Sequence, residues 1–120
     1  MNKLIPYTLI LVAVLTACHK PFQKKVAYTA TGAISAYNLQ YLDDHNELVN
    51  LEITPQSAQD IWKYEFMSDQ GEIVYVNGNY KDINSALKIQ LLIDGKVYKQ
   101  GETQGDTLKH LVVSGVVPYD

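Results

Sequence analysis

The sequence predicts a single all-β domain built as an antiparallel sandwich. Apolar residues alternate with polar ones in short runs between residues 26 and 117, as half-buried strands require. Segments rich in glycine, asparagine and aspartate separate these runs. Nine tyrosines stand against two phenylalanines, which suits strands with one wet face, since tyrosine has an apolar body and a polar tip. Together these features predict about seven strands packed as two sheets.

The alternating runs follow one another along the whole domain. They occupy residues 26–30, 37–41, 49–53, 73–77, 87–93, 96–99 and 108–117. Asp94 and Gly95 alone separate two of them, and Asp-Gly at this spacing predicts a two-residue hairpin, because both turn positions need a positive φ.

The segment 54–66 has two interpretations. Residues 54–57 can cap a helix that places Ala58, Ile61, Trp62 and Phe66 on one face. Alternatively, Trp62, Tyr64 and Phe66 alternate as a strand, followed by a turn at residues 68–71. Aromatic enrichment favours the strand.

The first seventeen residues are typical of a secretory signal. Lys3 precedes an apolar run at 4–15, and small residues follow it. The run is shorter than the roughly 20 residues that a membrane-spanning helix needs. The sequence therefore predicts a segment that is removed on export.

Leu15, Thr16, Ala17 and Cys18 resemble the bacterial lipobox. The resemblance implies cleavage before Cys18, a diacylglycerol on its thiol and an acyl chain such as palmitate on its new amine. The alternative is an ordinary signal peptide cut after Ala17 beside a free thiol. Cys18 is the only cysteine, so no intramolecular disulfide can form, and lipid attachment removes a thiol that would be reactive outside the cytoplasm.

This pattern divides the chain into a lipoprotein signal peptide (1–17), a lipidated tether (18–25) and a β-sandwich domain (26–120). Seven residue steps separate Cys18 from Lys25, which is at most about 25 Å of extended chain. Lys20, Lys24 and Lys25 either favour anionic head groups or form a solvated spacer. His19 is not the aspartate that retains lipoproteins in the inner membrane of enteric bacteria, so we expect the outer membrane, facing the periplasm or the surface.

Five stretches of the domain, taken in order, resemble the MmpS-like family of small membrane-anchored β-sandwich proteins. They are YTATG at 28–32, YNLQYLD at 37–43, WKYEF at 62–66, SALKI at 85–89 with LIDGKV at 92–97, and VSG at 113–115. The resemblance implies a seven-stranded immunoglobulin-like sandwich and an accessory role beside large envelope exporters. Those members keep a membrane helix where this chain has a lipobox.

Composition and motifs predict no enzyme, no cofactor and no metal. His19, His45 and His110 are far apart, and Asp43, Asp44 and Glu47 lack the spacing of a calcium loop. The chain has no arginine, and without Lys3 it carries nine lysines against thirteen acidic residues, which disfavours nucleic acid as a partner. No nucleophile elbow is present.

Three functions are compatible with this sequence. The first is a non-enzymatic module at the membrane surface that binds a protein partner and is accessory to an export complex. Free strand edges would allow such binding, because a partner can add a strand to them. The second is a carrier of lipid or another small ligand, with Tyr64, Phe66 and Tyr75 lining a cavity between the sheets. The third is an enzyme, for which no constellation is visible. Trp62, Tyr64 and Phe66 are candidate core or groove aromatics, and the sequence does not fix an oligomeric state.

Replacement of Cys18 by Ser should release the domain from the membrane, because it removes the thiol that receives lipid. We expect the C18S protein in the soluble fraction after cell fractionation, and the wild type in the membrane fraction. Metabolic labelling with an alkyne fatty acid should mark the wild type alone. A C18S protein that stays in the membrane fraction would contradict the lipobox assignment.

Overall fold

The computed structural model describes residues 23–106 and 108–119, and all regular structure in these ranges is β-strand. The strands are β1 (Gln23–Thr31), β2 (Tyr37–Leu42), β3 (Leu48–Ile53), β4 (Trp62–Asp69), β5 (Ile73–Tyr80), β6 (Ala86–Ile93), β7 (Lys96–Gln104) and β8 (His110–Val116). In these ranges no helix is long and apolar enough to cross a membrane. The predicted signal and lipidation residues lie outside them.

The strands form two antiparallel four-stranded sheets. Sheet A has the order β4-β1-β6-β7, and sheet B has the order β3-β2-β5-β8. Apolar side chains from both sheets meet in one core, so the prediction of an all-β sandwich is confirmed.

The prediction of seven strands is wrong, because the described ranges contain eight. The order also differs from the immunoglobulin constant type, in which the first strand neighbours the second and one sheet has only three strands. Here β1 lies between β4 and β6, paired with β4 from Gln23↔Asp69 to Ala30↔Trp62. Pairing between distant segments sets this order, which the local alternation of residues does not reveal.

The strand interpretation of residues 62–66 is confirmed, since Trp62 begins β4. The preceding segment turns irregularly and is held by local bonds instead of a helix. The Gln56 N–H donates to Asp60 Oδ2 at 2.6 Å, and the Gly32 N–H donates to the Ala58 carbonyl at 3.1 Å. Residues 54–57, which the helix interpretation treated as a cap, therefore belong to the irregular segment that leads into the edge strand β4.

Strand β1 begins at Gln23, within the segment predicted as a tether. Its first residues already pair with the end of β4, since Lys25 lies opposite Met67. Five residue steps then separate Cys18 from the sheet, which is at most about 18 Å of extended chain.

The Asp94-Gly95 hairpin forms as predicted. Asp94 has φ 52° and Gly95 has φ 82°, as a primed turn requires. The turn is also tied to β1, because the Lys25 N–H donates to Asp94 Oδ1 at 3.0 Å and the Asp94 N–H donates to the Lys25 carbonyl at 2.8 Å. The hairpin end thus fixes the start of β1.

Gly78 lies where the two sheets pack closely against each other in the core. A Cβ atom at this position in β5 would lie 2.6 Å from a methyl group of Leu87, 3.0 Å from one of Leu39 and 3.1 Å from one of Ile89. All three neighbours are buried, so they have little room to move.

Substitution Gly78→Ala should therefore lower the free energy of unfolding by about 1–3 kcal/mol, the usual cost of overpacking. Urea unfolding followed by tryptophan fluorescence measures the change. Ser114→Ala on the exposed face of the same sheet is the matched control and should have little effect. A Gly78→Ala protein as stable as the wild type would show that the sheets separate easily at this point.

Candidate functional site

The three predicted aromatic site residues lie together on the inward face of β4. Trp62, Tyr64 and Phe66 are half-buried and pack against the core at the side of the sandwich where β3 and β4 are the outer strands. On the opposite side β7 and β8 approach each other directly. The aromatic rings therefore fill the gap between the sheets on the β3–β4 side.

The rings of this side form one continuous cluster with two tyrosines of the inner strands. Ring centroids lie 4.8 Å apart for Tyr41 and Tyr64, 5.2 Å for Tyr41 and Trp62, and 5.5 Å for Tyr28 and Phe66. These are ordinary packing distances for aromatic pairs. The cluster occupies the space that a ligand cavity lined by Tyr64 and Phe66 would need.

Tyr75, the third residue expected to line such a cavity, lies on the outer face of sheet B, so that placement is wrong. Its neighbours along β5, Val74 and Val76, point into the core. Its hydroxyl accepts a hydrogen bond from Asn77 Nδ2 at 2.7 Å. Because successive side chains of a strand point to opposite faces, the two valines of β5 face the core and Tyr75 faces outward.

The acidic turn between β2 and β3 is a self-contained structural motif. Asp43 Oδ1 accepts hydrogen bonds from the backbone N–H of His45 at 2.8 Å and of Glu47 at 3.0 Å. The bond from Glu47 is the main cause that lowers the pKa of Asp43 below its ordinary value. Asp44 accepts from the Tyr64 hydroxyl at 3.3 Å, which links the turn to β4.

No group of three metal-ligating side chains occurs within residues 23–106 and 108–119. His45 belongs to the β2–β3 turn and His110 begins β8, and both are exposed. The direction of the strands places these two histidines at opposite ends of the sandwich. Within the described residues the two histidines therefore share no site, and Asp43, Asp44 and Glu47 lie together only as parts of the β2–β3 turn.

The end of the sandwich opposite Gln23 is covered by four connections that cross between the sheets. They join β1 to β2, β3 to β4, β5 to β6 and β7 to β8, because the strands alternate in direction along the chain. Each carries one exposed large aliphatic side chain, with exposed fractions of 54–66%: Ile34, Ile61, Ile83 and Leu108. We call these four residues and their connections the distal loop surface.

Hydrogen bonds brace the distal loop surface from one connection to the next. Gly32 donates to the Ala58 carbonyl at 3.1 Å. The Ile34 N–H donates to Ser85 Oγ at 3.2 Å, and the Gly105 N–H donates to the Ser85 carbonyl at 3.0 Å. Ser85 is buried, and these two bonds join its connection to the β1–β2 and β7–β8 connections below the surface.

A further bond joins the β1–β2 and β5–β6 connections at the surface. The Ser35 hydroxyl donates to Asp82 Oδ2 at 2.9 Å, and the Asn84 N–H donates to Asp82 Oδ1 at 2.9 Å. The Asn84 bond, followed by that of Ser35, lowers the pKa of Asp82 below its ordinary value. The exposed aliphatic side chains therefore project from braced connections.

Sequence reasoning missed the distal loop surface. The signal was present, because Ile34, Ile61 and Ile83 are aliphatic residues in turn-rich segments outside the period-two runs. Only the pairing of the strands shows that the segments meet at one end.

No family model matches the chain, and no curated protein is detectably similar to it.

Two buried tyrosines make stability depend on alkaline pH. Burial raises the pKa of Tyr37 to about 12 and also raises that of Tyr28. The folded state keeps its phenolic protons where the unfolded chain, with a pKa near 10, loses them. Their contribution is complete below pH 10 and is lost as the pH rises above it.

Between pH 10 and 12 each tyrosine should lower the free energy of unfolding by at most about 1.4 kcal/mol per pH unit, with the steepest fall near the middle of this range. Tyr37→Phe should remove its share of this slope, and Tyr98→Phe, which changes an exposed ring, is the matched control. Urea midpoints measured at steps from pH 9 to 12 report the slope. An unchanged slope in Tyr37→Phe would contradict the assignment.

Proposed function

We propose that this chain is a lipid-anchored envelope protein that binds a protein partner through the distal loop surface and catalyses no reaction. The observation that carries the proposal is the presence of one exposed large aliphatic side chain on each of four neighbouring, braced connections. Loops held by a rigid scaffold are where binding residues concentrate. Apolar side chains gathered on such loops are typical of a surface that a partner covers.

The position of the chain start supports a membrane-proximal orientation. Gln23 lies at the end opposite the distal loop surface, and Cys18 precedes it by five residue steps. Nine residues of β1 span about 30 Å between the two ends. With lipid on Cys18, an upright domain presents the distal loop surface away from the bilayer, where a protein partner is accessible.

A protein partner is favoured over a small ligand carried between the sheets. The aromatic cluster fills the β3–β4 side, with rings of Tyr28, Tyr41 and Tyr64 in mutual contact. The resemblance to MmpS-like proteins suggests that the partner belongs to an export complex, and the residue after Cys18 suggests the outer membrane. Both finer assignments belong to the proposal.

The free edge of β3 offers a different way to bind a protein, by addition of a partner strand. Leu48 and Leu51 are exposed on this strand. The edge of β4 is less suited, because Lys25 and Lys63 pair with Glu65 beside it, at 2.7 and 3.4 Å. The experiment therefore has to separate the distal loop surface from the β3 edge.

A photo-crosslinking residue placed at Ile83, Leu51 or Ile73 of the lipidated full-length protein makes this distinction in intact cells. Ile73 is the control position, because it is 62% exposed, as the distal residues are, but lies at the Gln23 end. We expect a reproducible protein adduct from position 83 only, identified by mass spectrometry.

The double substitution Ile61→Lys and Leu108→Lys should reduce this adduct at least about fivefold, since a protein interface loses most of its affinity when its apolar centre is charged. Ile73→Lys is the matched control and should leave the adduct unchanged. An adduct only from position 51 would replace the proposal by strand addition. Lipid adducts, or no reproducible protein, would overturn it.

A further inference from the structure

The outer face of sheet B is unusual for a strand surface. Its central part carries five carboxamides and one carboxylate, from β2, β3 and β5: Asn38, Gln40, Asn50, Glu52, Asn77 and Asn79. Every asparagine in the eight described strands lies on this face. Asparagine is depleted in strands, and departures from local preference concentrate at functional sites. We call these six residues the carboxamide face.

The six side chains form two rows across the sheet. Asn50, Gln40 and Asn77 lie opposite one another in register, and Glu52, Asn38 and Asn79 form the next row. Neighbouring strands are about 4.8 Å apart. The rows therefore present hydrogen-bonding groups at a spacing comparable to the size of a sugar ring.

Hydrogen bonds within the face orient some groups and leave others available. Asn77 Nδ2 donates to Gln40 Oε1 at 3.0 Å, and Asn38 Nδ2 donates to Asn79 Oδ1 at 3.4 Å. Within the part of the chain that the structure describes, the Gln40 amino group and the Asn38 carbonyl oxygen bond no protein atom. The face thus keeps both donors and acceptors for a ligand.

Two adjoining open depressions lie along the carboxamide face. One depression of about 370 Å³ is bounded by these six side chains. A second, of about 250 Å³, shares Asn38 and Glu52 with it and continues past Tyr37 to Ser35 and Asp82. The two together provide room for a chain of several units running along β2.

The chemistry of the face selects a neutral, polyhydroxylated ligand. The larger depression has no cationic side chain, and Glu52 repels anions. In the smaller depression the charge of Lys81 is offset by Asp82 and Glu52. A single carboxylate does not provide the ligand set of a metal ion. Carboxamides donate and accept side by side, which matches the adjacent hydroxyl groups of a sugar.

The outer face of sheet A shows the contrast. There Lys25 pairs with Glu65, and Lys88 lies opposite Glu102 in register. Such mixed charge is ordinary for a solvated strand face. The same face has one carboxamide pair, Gln90 donating to Gln100 at 3.0 Å, whereas five carboxamides stand together on sheet B.

We infer that the carboxamide face binds a neutral glycan chain of the cell envelope. A peptide is disfavoured, because an extended peptide pairs with a free strand edge, whereas β2 and β5 have neighbours on both sides and offer only side-chain groups. This inference rests on the envelope location in the proposed function, and it does not depend on the distal loop surface.

The double substitution Asn38→Thr and Asn50→Thr tests it on the lipidated full-length protein in nanodiscs. Threonine favours strands, so the apparent Tm should stay equal or rise. Co-sedimentation with purified peptidoglycan sacculi, and titration with an N-acetylglucosamine hexamer, measure binding. We expect the wild type to bind and the double variant to bind at least tenfold more weakly. Lys88→Thr with Gln90→Thr, on the outer face of sheet A, is the matched control and should bind as the wild type does.

The N-acetylglucosamine hexamer is neutral and carries no peptide, so it separates the sugar of the sacculus from its stem peptides. Binding to the hexamer supports the inference and shows that sugar alone suffices. Binding to free stem peptides but not to the hexamer would overturn it in favour of a peptide. Equal binding by the wild type and the Asn38→Thr, Asn50→Thr protein, or no binding to either probe, would also overturn it.

Discussion

Tyr28 connects the two sheets through a single hydroxyl group. From β1 it donates to the Leu42 carbonyl at 2.8 Å and accepts from the Tyr75 N–H at 3.3 Å. The β2–β5 ladder ends at Tyr41↔Val76, so these two backbone groups lie just beyond its last pair. The phenol takes the place of the missing strand partner, and burial of these groups without it would cost about 1–3 kcal/mol. The fully buried ring also anchors the aromatic cluster.

This connection gives the sandwich its asymmetry between sides. Because Tyr28, Tyr41 and the rings of β4 fill one side, β3 and β4 stand apart there, while β7 and β8 meet on the other. The core has no need of a disulfide, which agrees with a single cysteine in the chain. The aromatic residues that looked like candidates for a groove serve mainly to hold the two sheets in place.

The alternation of strand direction gives the sandwich its asymmetry between ends. The Gln23 end has the β2–β3 and β6–β7 hairpins, each closed within one sheet, and one crossing connection, from β4 to β5. The other end has only connections that cross between sheets, and each of these carries one exposed aliphatic residue. The two outer faces differ as well, one with paired charges and one with carboxamides. A single small domain thereby has chemically different surfaces at its ends and on its faces.

The sequence alone determined the features that depend on neighbouring residues. Period-two alternation located the strands, and Asp94-Gly95 specified its turn, because side-chain direction and φ are local properties. The tertiary structure decided the features that depend on distant residues. The position of β1 between β4 and β6 and the gathering of Ile34, Ile61 and Ile83 at one end follow from which strands pair. Long-range pairing depends on how the whole core packs, so no local pattern encodes it.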